Sequence, residues 1–308
     1  MLDPGFGQDG IVAFTNSPPY GGVGALATTP DGALMACTNA HTLKLTATGS
    51  LDPTFGVGGV ADGVDAPRDV HVMPDGRILA IGSSGGLRRI LPDGMNDADF
   101  GTNGFVQVPM SMTTIPSSIA TLSDHSIIIN FITNIPGEVL LYKRTPQGDA
   151  DLAFGTNGIL VVEASADIDF VNSIVVDSED RILVAGTRIE NGNVAAILWR
   201  ISADGIPDPS FGTAGMASLS IPGITMRCMH SLVLPTGKLL LVGSTFQVPT
   251  FQPWIARLDA AGLLDTTFGT DGYVVGPLFQ GHMAKPKNIH VTNEGSIILS
   301  GDVSRPSG

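Results

Sequence analysis

Cysteine is nearly absent: Cys37 and Cys228 are the only two in 308 residues. That excludes a disulfide framework and a four-thiolate zinc site, so apolar packing must hold the fold together. The two fall in different parts of nonadjacent sequence repeats, so no disulfide between them is expected, and Cys37 reads as a small core residue. Positive charge is also scarce. Sixteen Lys and Arg stand against 29 Asp and Glu, a formal charge of -13. This is the wrong sign for a protein that neutralises nucleic-acid phosphates or an anionic membrane surface. No apolar run approaches the roughly 20 residues of a membrane-spanning helix. The N-terminus shows no basic flank, apolar stretch and cleavage site of a secretory leader, because Met1-Leu2-Asp3 runs straight into a turn motif. No segment of 3.6-residue periodicity is long enough for a helix. The G-x-S-x-G elbow, HExxH, P-loop and dinucleotide glycine patterns are missing too, and with them the commonest signatures of hydrolytic and nucleotide chemistry.

What the chain does contain is a repeat. LDPGFGQDG from Leu2 returns as LDPTFGVGG, NDADFGTNG, ADLAFGTNG, PDPSFGTAG and LDTTFGTDG, with anchors Phe6, Phe55, Phe100, Phe154, Phe211 and Phe268. Intervals of 45 to 57 residues lie in the range of propeller blades. Between anchors runs a second element, such as PDGRILAIGS from Pro74 or PTGKLLLVGS from Pro235, which reads as a tight turn feeding a fully buried strand. Apolar stretches before it (DVHV at 69–72, NSIVV at 172–176, NIHV at 288–291) complete a hairpin. A third strand ends at a turn glycine, as in LRRILPDG and WIARLDAAG, and a fourth follows the FGxxG turn. The expected fold is therefore all-β: a six-bladed β-propeller of four-stranded antiparallel blades, forming one domain over residues 1–308 and expected to be monomeric. After Asp302 only VSRPSG remains, so the last blade lacks a third strand. The chain is then a fragment of a longer protein, the last blade is thin, or the tail is reorganised, with closure by the N-terminal strand at 10–15 as the other way to complete the ring.

These motifs resemble the delta-60 repeat family, whose pattern is LDxxFGxxG, an apolar strand, PDGKILVAG and a strand of the type LARLNxDG. The resemblance implies a bacterial β-propeller of unknown function and an extracellular or cell-surface setting. WD-dipeptide and kelch signatures are absent.

Residues present in every copy are expected to maintain the blades. A basic residue precedes the repeat Asp by eight positions in five copies (Lys44, Arg89, Lys143, Arg200, Arg257), which predicts an ion pair, a turn cap, or both. Phe anchors read as plugs between sheets, and the paired glycines as positions needing positive φ. Function is sought where the copies differ. Connections from the fourth strand to the next first strand, and from the second to the third, fall on one side. The binding residues expected there are Tyr20, Arg68, Phe170, Arg227, Phe246, Phe251 and Phe279, with Met226 and Met283 adding adaptable apolar contact. Six positions before each hairpin turn lie Ala25, Asp69, Ser118, Ser173, His230 and Asn288, which predicts a polar end to the axial channel. Asp69, His230 and Asn288 are therefore counted as binding candidates as well. The favoured reading is a non-catalytic binding or scaffold module for a protein or glycan, without nucleic acid, membrane insertion or cofactor. The alternatives are a metal-dependent, lactonase-like hydrolase using Asp69, His230 and His290, with calcium or another divalent ion in the channel, and an architectural spacer in a longer exported protein.

Overall fold

The computed structural model describes residues 5–8, 11–12, 23–111, 114–133, 138–164, 168–190, 193–221, 223–245, 251–276, 283–292 and 295–304. Among them are 22 β-strands and no helix. The first sheet is β1 (Val23–Thr28), β2 (Leu34–Thr38), β3 (His41–Leu45) and β4 (Val60–Asp62). The second is β5 (Pro67–Val72), β6 (Ile78–Gly82), β7 (Gly86–Ile90) and β8 (Phe105–Gln107). The third is β9 (Thr114–Thr121), β10 (Ile127–Thr133), β11 (Glu138–Arg144) and β12 (Ile159–Ala164). The fourth is β13 (Ile168–Val176), β14 (Ile182–Glu190), β15 (Asn193–Ile201) and β16 (Met216–Leu219). The fifth is β17 (Met226–Val233), β18 (Leu239–Thr245), β19 (Pro253–Leu258) and β20 (Tyr273–Val275). A hairpin, β21 (Met283–Val291) with β22 (Ile297–Ser304), ends the series. The propeller-like, all-β expectation holds, with strands paired in chain order. The expected four strands are present in five sheets, and the last has two.

The chain divides into two compact units, Met1–Ile129 with Lys143–Asp151, and Asn130–Tyr142 with Leu152–Gly308. The division runs within the third sheet. In the first unit Met35, Phe55, Val70, Ile78 and Ile90 form the buried core. In the second, Phe211, Met226, Cys228, Leu241 and Trp254 do so. Second strands are the most deeply buried: β6 and β18 are covered at every residue. Burial of both faces explains why ILAIG and LLLVGST read as continuous apolar runs rather than alternating ones.

The repeated residues build a clasp. In all five copies the basic residue meets its Asp: Lys44–Asp52 at 3.2 Å, Arg89–Asp97 at 2.7 Å, Lys143–Asp151 at 3.1 Å, Arg200–Asp208 at 2.8 Å and Arg257–Asp265 at 2.7 Å. The other carboxylate oxygen accepts the backbone N–H two residues on, at Thr54, Asp99, Ser210 and Thr267. The Asp is thus ion-paired and turn-capping together. Next to it the FG turn grips the following repeat. The N–H groups of Gly7, Gly56, Gly101 and Gly212 donate to the carbonyls of Thr48, Asp93, Gln147 and Ala261, each in the turn that closes the next third strand. Gly212 has φ 53°, and a Cβ there would collide with the carbonyl oxygen of Met216, so this grip requires glycine.

Candidate functional site

The first strand of a sheet carries a β-bulge at one recurring position. Register shifts occur between Val23 and Ala25, Pro67 and Asp69, Val171 and Ser173, Cys228 and His230, and Pro286 and Asn288. The residue after each bulge is a position singled out from the sequence, and it is polar in four of the five: Asp69, Ser173, His230 and Asn288, with Ala25 the exception. A bulge re-aims side chains and leaves backbone groups outside the ladder, and these groups need partners when buried.

In the first unit Asp69 supplies them. Its Oδ1 accepts the N–H of Val70 at 2.8 Å and its Oδ2 that of Ile119, on β9, at 2.8 Å. Burial outweighs these bonds and pushes the carboxyl up to about 6. His71, two residues on, reaches the same strand, with Nε2 3.0 Å from Thr121 Oγ1. Burial holds its imidazole down at about 4. Arg68 is exposed.

The second unit repeats the arrangement with neutral groups. Ser173 Oγ accepts the N–H of Ser231 at 3.1 Å and lies 3.1 Å from its hydroxyl. Asn172 Nδ2 donates to the carbonyl of Cys228 at 3.1 Å, and Thr187 Oγ1 accepts the Cys228 N–H at 3.0 Å. Asn130, fully buried, donates to the carbonyl of Val171 at 3.1 Å. Asn288 bonds the N–H of Ile289 at 2.7 Å and, like His290, is exposed. His230 is part-buried, and burial holds it at about 4. Counting back from the turns missed Asn130, Asn172 and Thr187. Asn130 had a visible signal, as the one polar residue inside the run IIINF.

Of the residues expected on the loop side, Phe170 is 40% exposed, and the Arg227 guanidinium stands 5.2 Å from its ring centroid. Phe251 was expected to be exposed but is buried at 8%. Gln252, beside it, donates its N–H to Thr245 Oγ1 at 3.0 Å and drives this segment back onto β18. Met226 is likewise core, because it pairs with Thr245 inside the fifth sheet. Both cysteines are buried and unpaired, with thiols pushed up to about 12 by burial. Tyr20, Phe246 and Phe279 lie outside the described residues, as does the side chain of Met283. Among the described residues no three His, Cys, Asp or Glu side chains converge as a metal site would require, and no helix is long and apolar enough to cross a membrane.

Residues 180–211 and 234–268 match a family described as a domain of unknown function (DUF5122) beta-propeller. The resemblance read from the repeat therefore stands, as a propeller family without an assigned activity. No curated protein matches the sequence. Among solved structures, a catalytically inactive virginiamycin B lyase from Staphylococcus aureus, crystallised with quinupristin, is similar over 94% of each chain, at 13% identity and a TM-score of 0.50. A gluconolactonase from Xanthomonas campestris is similar over 88% of this chain and 80% of its own, at 13% identity and a TM-score of 0.48. At such identity the likeness to the lyase is one of fold alone.

Proposed function

We propose that this chain is a non-catalytic recognition propeller that binds a protein or glycan ligand on its variable-loop side. The observation that carries this reading is Phe170, which keeps 40% of its surface exposed while the Arg227 guanidinium lies against its ring. An aromatic ring with a guanidinium beside it offers apolar area and hydrogen-bond donors together, the chemistry of interface hot spots. The polar residues beside the bulges support the same reading from the other direction. Both oxygens of Asp69 are engaged by backbone N–H groups, and Ser173, Asn172 and Thr187 are similarly committed to neighbouring strands.

The test is a thermal-unfolding screen of the purified chain against oligosaccharides and peptides, since a ligand of the native state raises Tm by mass action. A hit is then titrated against Phe170→Ala. Affinity is expected to fall about tenfold or more, the cost of removing a hot-spot aromatic, with the ligand-free Tm unchanged. A ligand that binds Phe170→Ala and Arg227→Ala as tightly as the parent chain overturns the assignment of this surface.

A further inference from the structure

In the first unit the chain departs from its own repeat at one place. The residue before the repeat Asp is apolar in the other copies, at Leu2, Leu51, Ala150, Pro207 and Leu264, and the residue before the clasp base is Leu43, Tyr142, Trp199 or Ala256. In the second repeat these two are Asn96 and Arg88. Seven residues after its Phe anchor the neighbouring repeat carries Asp62, where the later copies have Gln107, Val161, Ser218 and Val275. Two residues after the same anchor stands Val57, where those copies have Thr102, Thr156, Thr213 and Thr270. A blade folds without these substitutions, so they point to a use other than folding.

The substitutions meet in space. Arg88 is pinned by its Nε, which donates to the Gly63 carbonyl at 2.9 Å, and by the Phe105 ring, 5.5 Å away at its centroid. Its Nη1 donates to Asn96 Oδ1 at 2.9 Å, and Asn96 Nδ2 donates to Asp62 Oδ2 at 3.2 Å. They border a cavity of about 490 Å³ lined by His41, Val57, Asp62, Met95 and Asn96 among others, a volume typical of small-ligand sites. The cavity opens to solvent, since Val57 is 88% and Met95 62% exposed. The corresponding notch in the second unit, between Ser218 and Leu264, measures about 170 Å³, and its described lining carries no ionisable side chain.

The network fixes which groups remain for a ligand. With Arg88 on its oxygen and Asp62 on its nitrogen, the Asn96 amide has one orientation. Its second Nδ2 hydrogen and Asp62 Oδ1 make no hydrogen bond among the described residues, which leaves a donor and an acceptor side by side. Arg88 Nη1, 3.7 Å from Asp62 Oδ2, already offsets the carboxylate, so a cation gains little here and an anion would meet Asp62. Val57 and Met95 supply an aliphatic wall. The complementary ligand is neutral, with adjacent hydroxyls and an apolar C–H face.

We propose that this notch binds a neutral sugar ring, with two vicinal hydroxyls held by Asp62 and Asn96 and the C–H face laid on Val57 and Met95. The site shares no residue with the Phe170–Arg227 surface and does not depend on it.

The test is saturation-transfer NMR of the intact protein with glucose, galactose, mannose and N-acetylglucosamine, and with putrescine as the cationic control. Transfer is expected to at least one sugar and not to putrescine. The best binder is then titrated against two variants that restore residues of the other copies and so keep the fold. Asn96→Leu should weaken binding about tenfold, the loss of one hydrogen bond in the site. Val57→Thr should weaken it about threefold, through lost apolar contact. Both are expected to unfold at the parent Tm. No transfer to any of the four sugars, stronger transfer to putrescine, or undiminished affinity in either variant would each overturn the proposal.

Discussion

At the residue scale the repeat Asp does two jobs with two oxygens, and an arginine eight positions earlier does three with one head group. Arg200 is 4% exposed, pairs with Asp208, stacks on Phe211 and reaches a carbonyl of the next repeat. Replacing it with Met keeps the stem but leaves a carboxylate and a carbonyl without their donor, at an expected cost of about 2–3 kcal/mol by denaturant unfolding. Arg200→Lys is expected to cost less, since Lys44 and Lys143 hold their Asp at 3.2 and 3.1 Å without a fork. A loss equal to that of Met would show that the stacked, planar head matters more than its charge. The neighbouring turn carries a correctable strain. In the described copies the third residue of FGxxG after Phe is left-handed, with φ 52° at Asn103, 55° at Asn157 and 53° at Ala214. Asn tolerates this region and Ala does not, so Ala214→Asn is expected to stabilise the chain by about 0.5–1 kcal/mol, read as a higher denaturation midpoint.

At the element scale the recurring bulge explains why a polar layer exists. Displaced backbone groups are buried, and the side chain after the bulge, or one from the preceding sheet, satisfies them. The sequence revealed the layer by counting from the turns, but not its purpose, because a bulge is a backbone event with no residue signature: Gly24, Arg68, Asn172, Met229 and Lys287 occupy the bulged positions. The layer has a pH signature. Asp69, raised from 3.8 to about 6, binds its proton in the folded state before the unfolded one, so its contribution to stability grows as pH falls from about 6 toward 4. His71 and His230, lowered from 6.5 to about 4, act oppositely: the unfolded chain takes up these protons first, and stability is lost as pH falls through that window. Two losses against one gain leave the parent chain destabilised by mild acid. Asp69→Asn removes the gain and should steepen the decline, while His230→Gln removes one loss and should flatten it. Denaturant midpoints measured across the window check both, and parallel profiles for all three proteins would refute this account. Asp52, Asp208 and Asp265, held low chiefly by Thr54, Ser210 and Lys238 respectively, add a loss that begins at the acid end of the window, but it is common to all three proteins, so the differences between profiles report on Asp69 and His230.

At the scale of the whole molecule, the architecture was legible because each repeat states it again: FGxxG marks the clasp, the PDG turn marks the hairpin, and apolar runs mark strands buried on both faces. The candidate site was much less so. Phe170 and Phe251 are the same residue type expected on the same loop side, one at the entry to a first strand and the other between a second and a third, yet one is exposed and the other buried, since the hydrogen bond of Gln252 to Thr245 that folds the second inward is a tertiary choice. What repetition does predict is a gradient of stability, because in a repeat protein each strand is held by the strands and sheets beside it. In the second unit β18 is buried at every residue and hydrogen-bonded on both edges. Among the described residues β22 is paired with β21 alone, and its Ile298 is 52% exposed. Amide hydrogen exchange of the intact protein should therefore run faster in β22 than in β18. Amides of β22 that exchange as slowly as those of β18 would refute the gradient, and the stability of this molecule would then be uniform rather than graded.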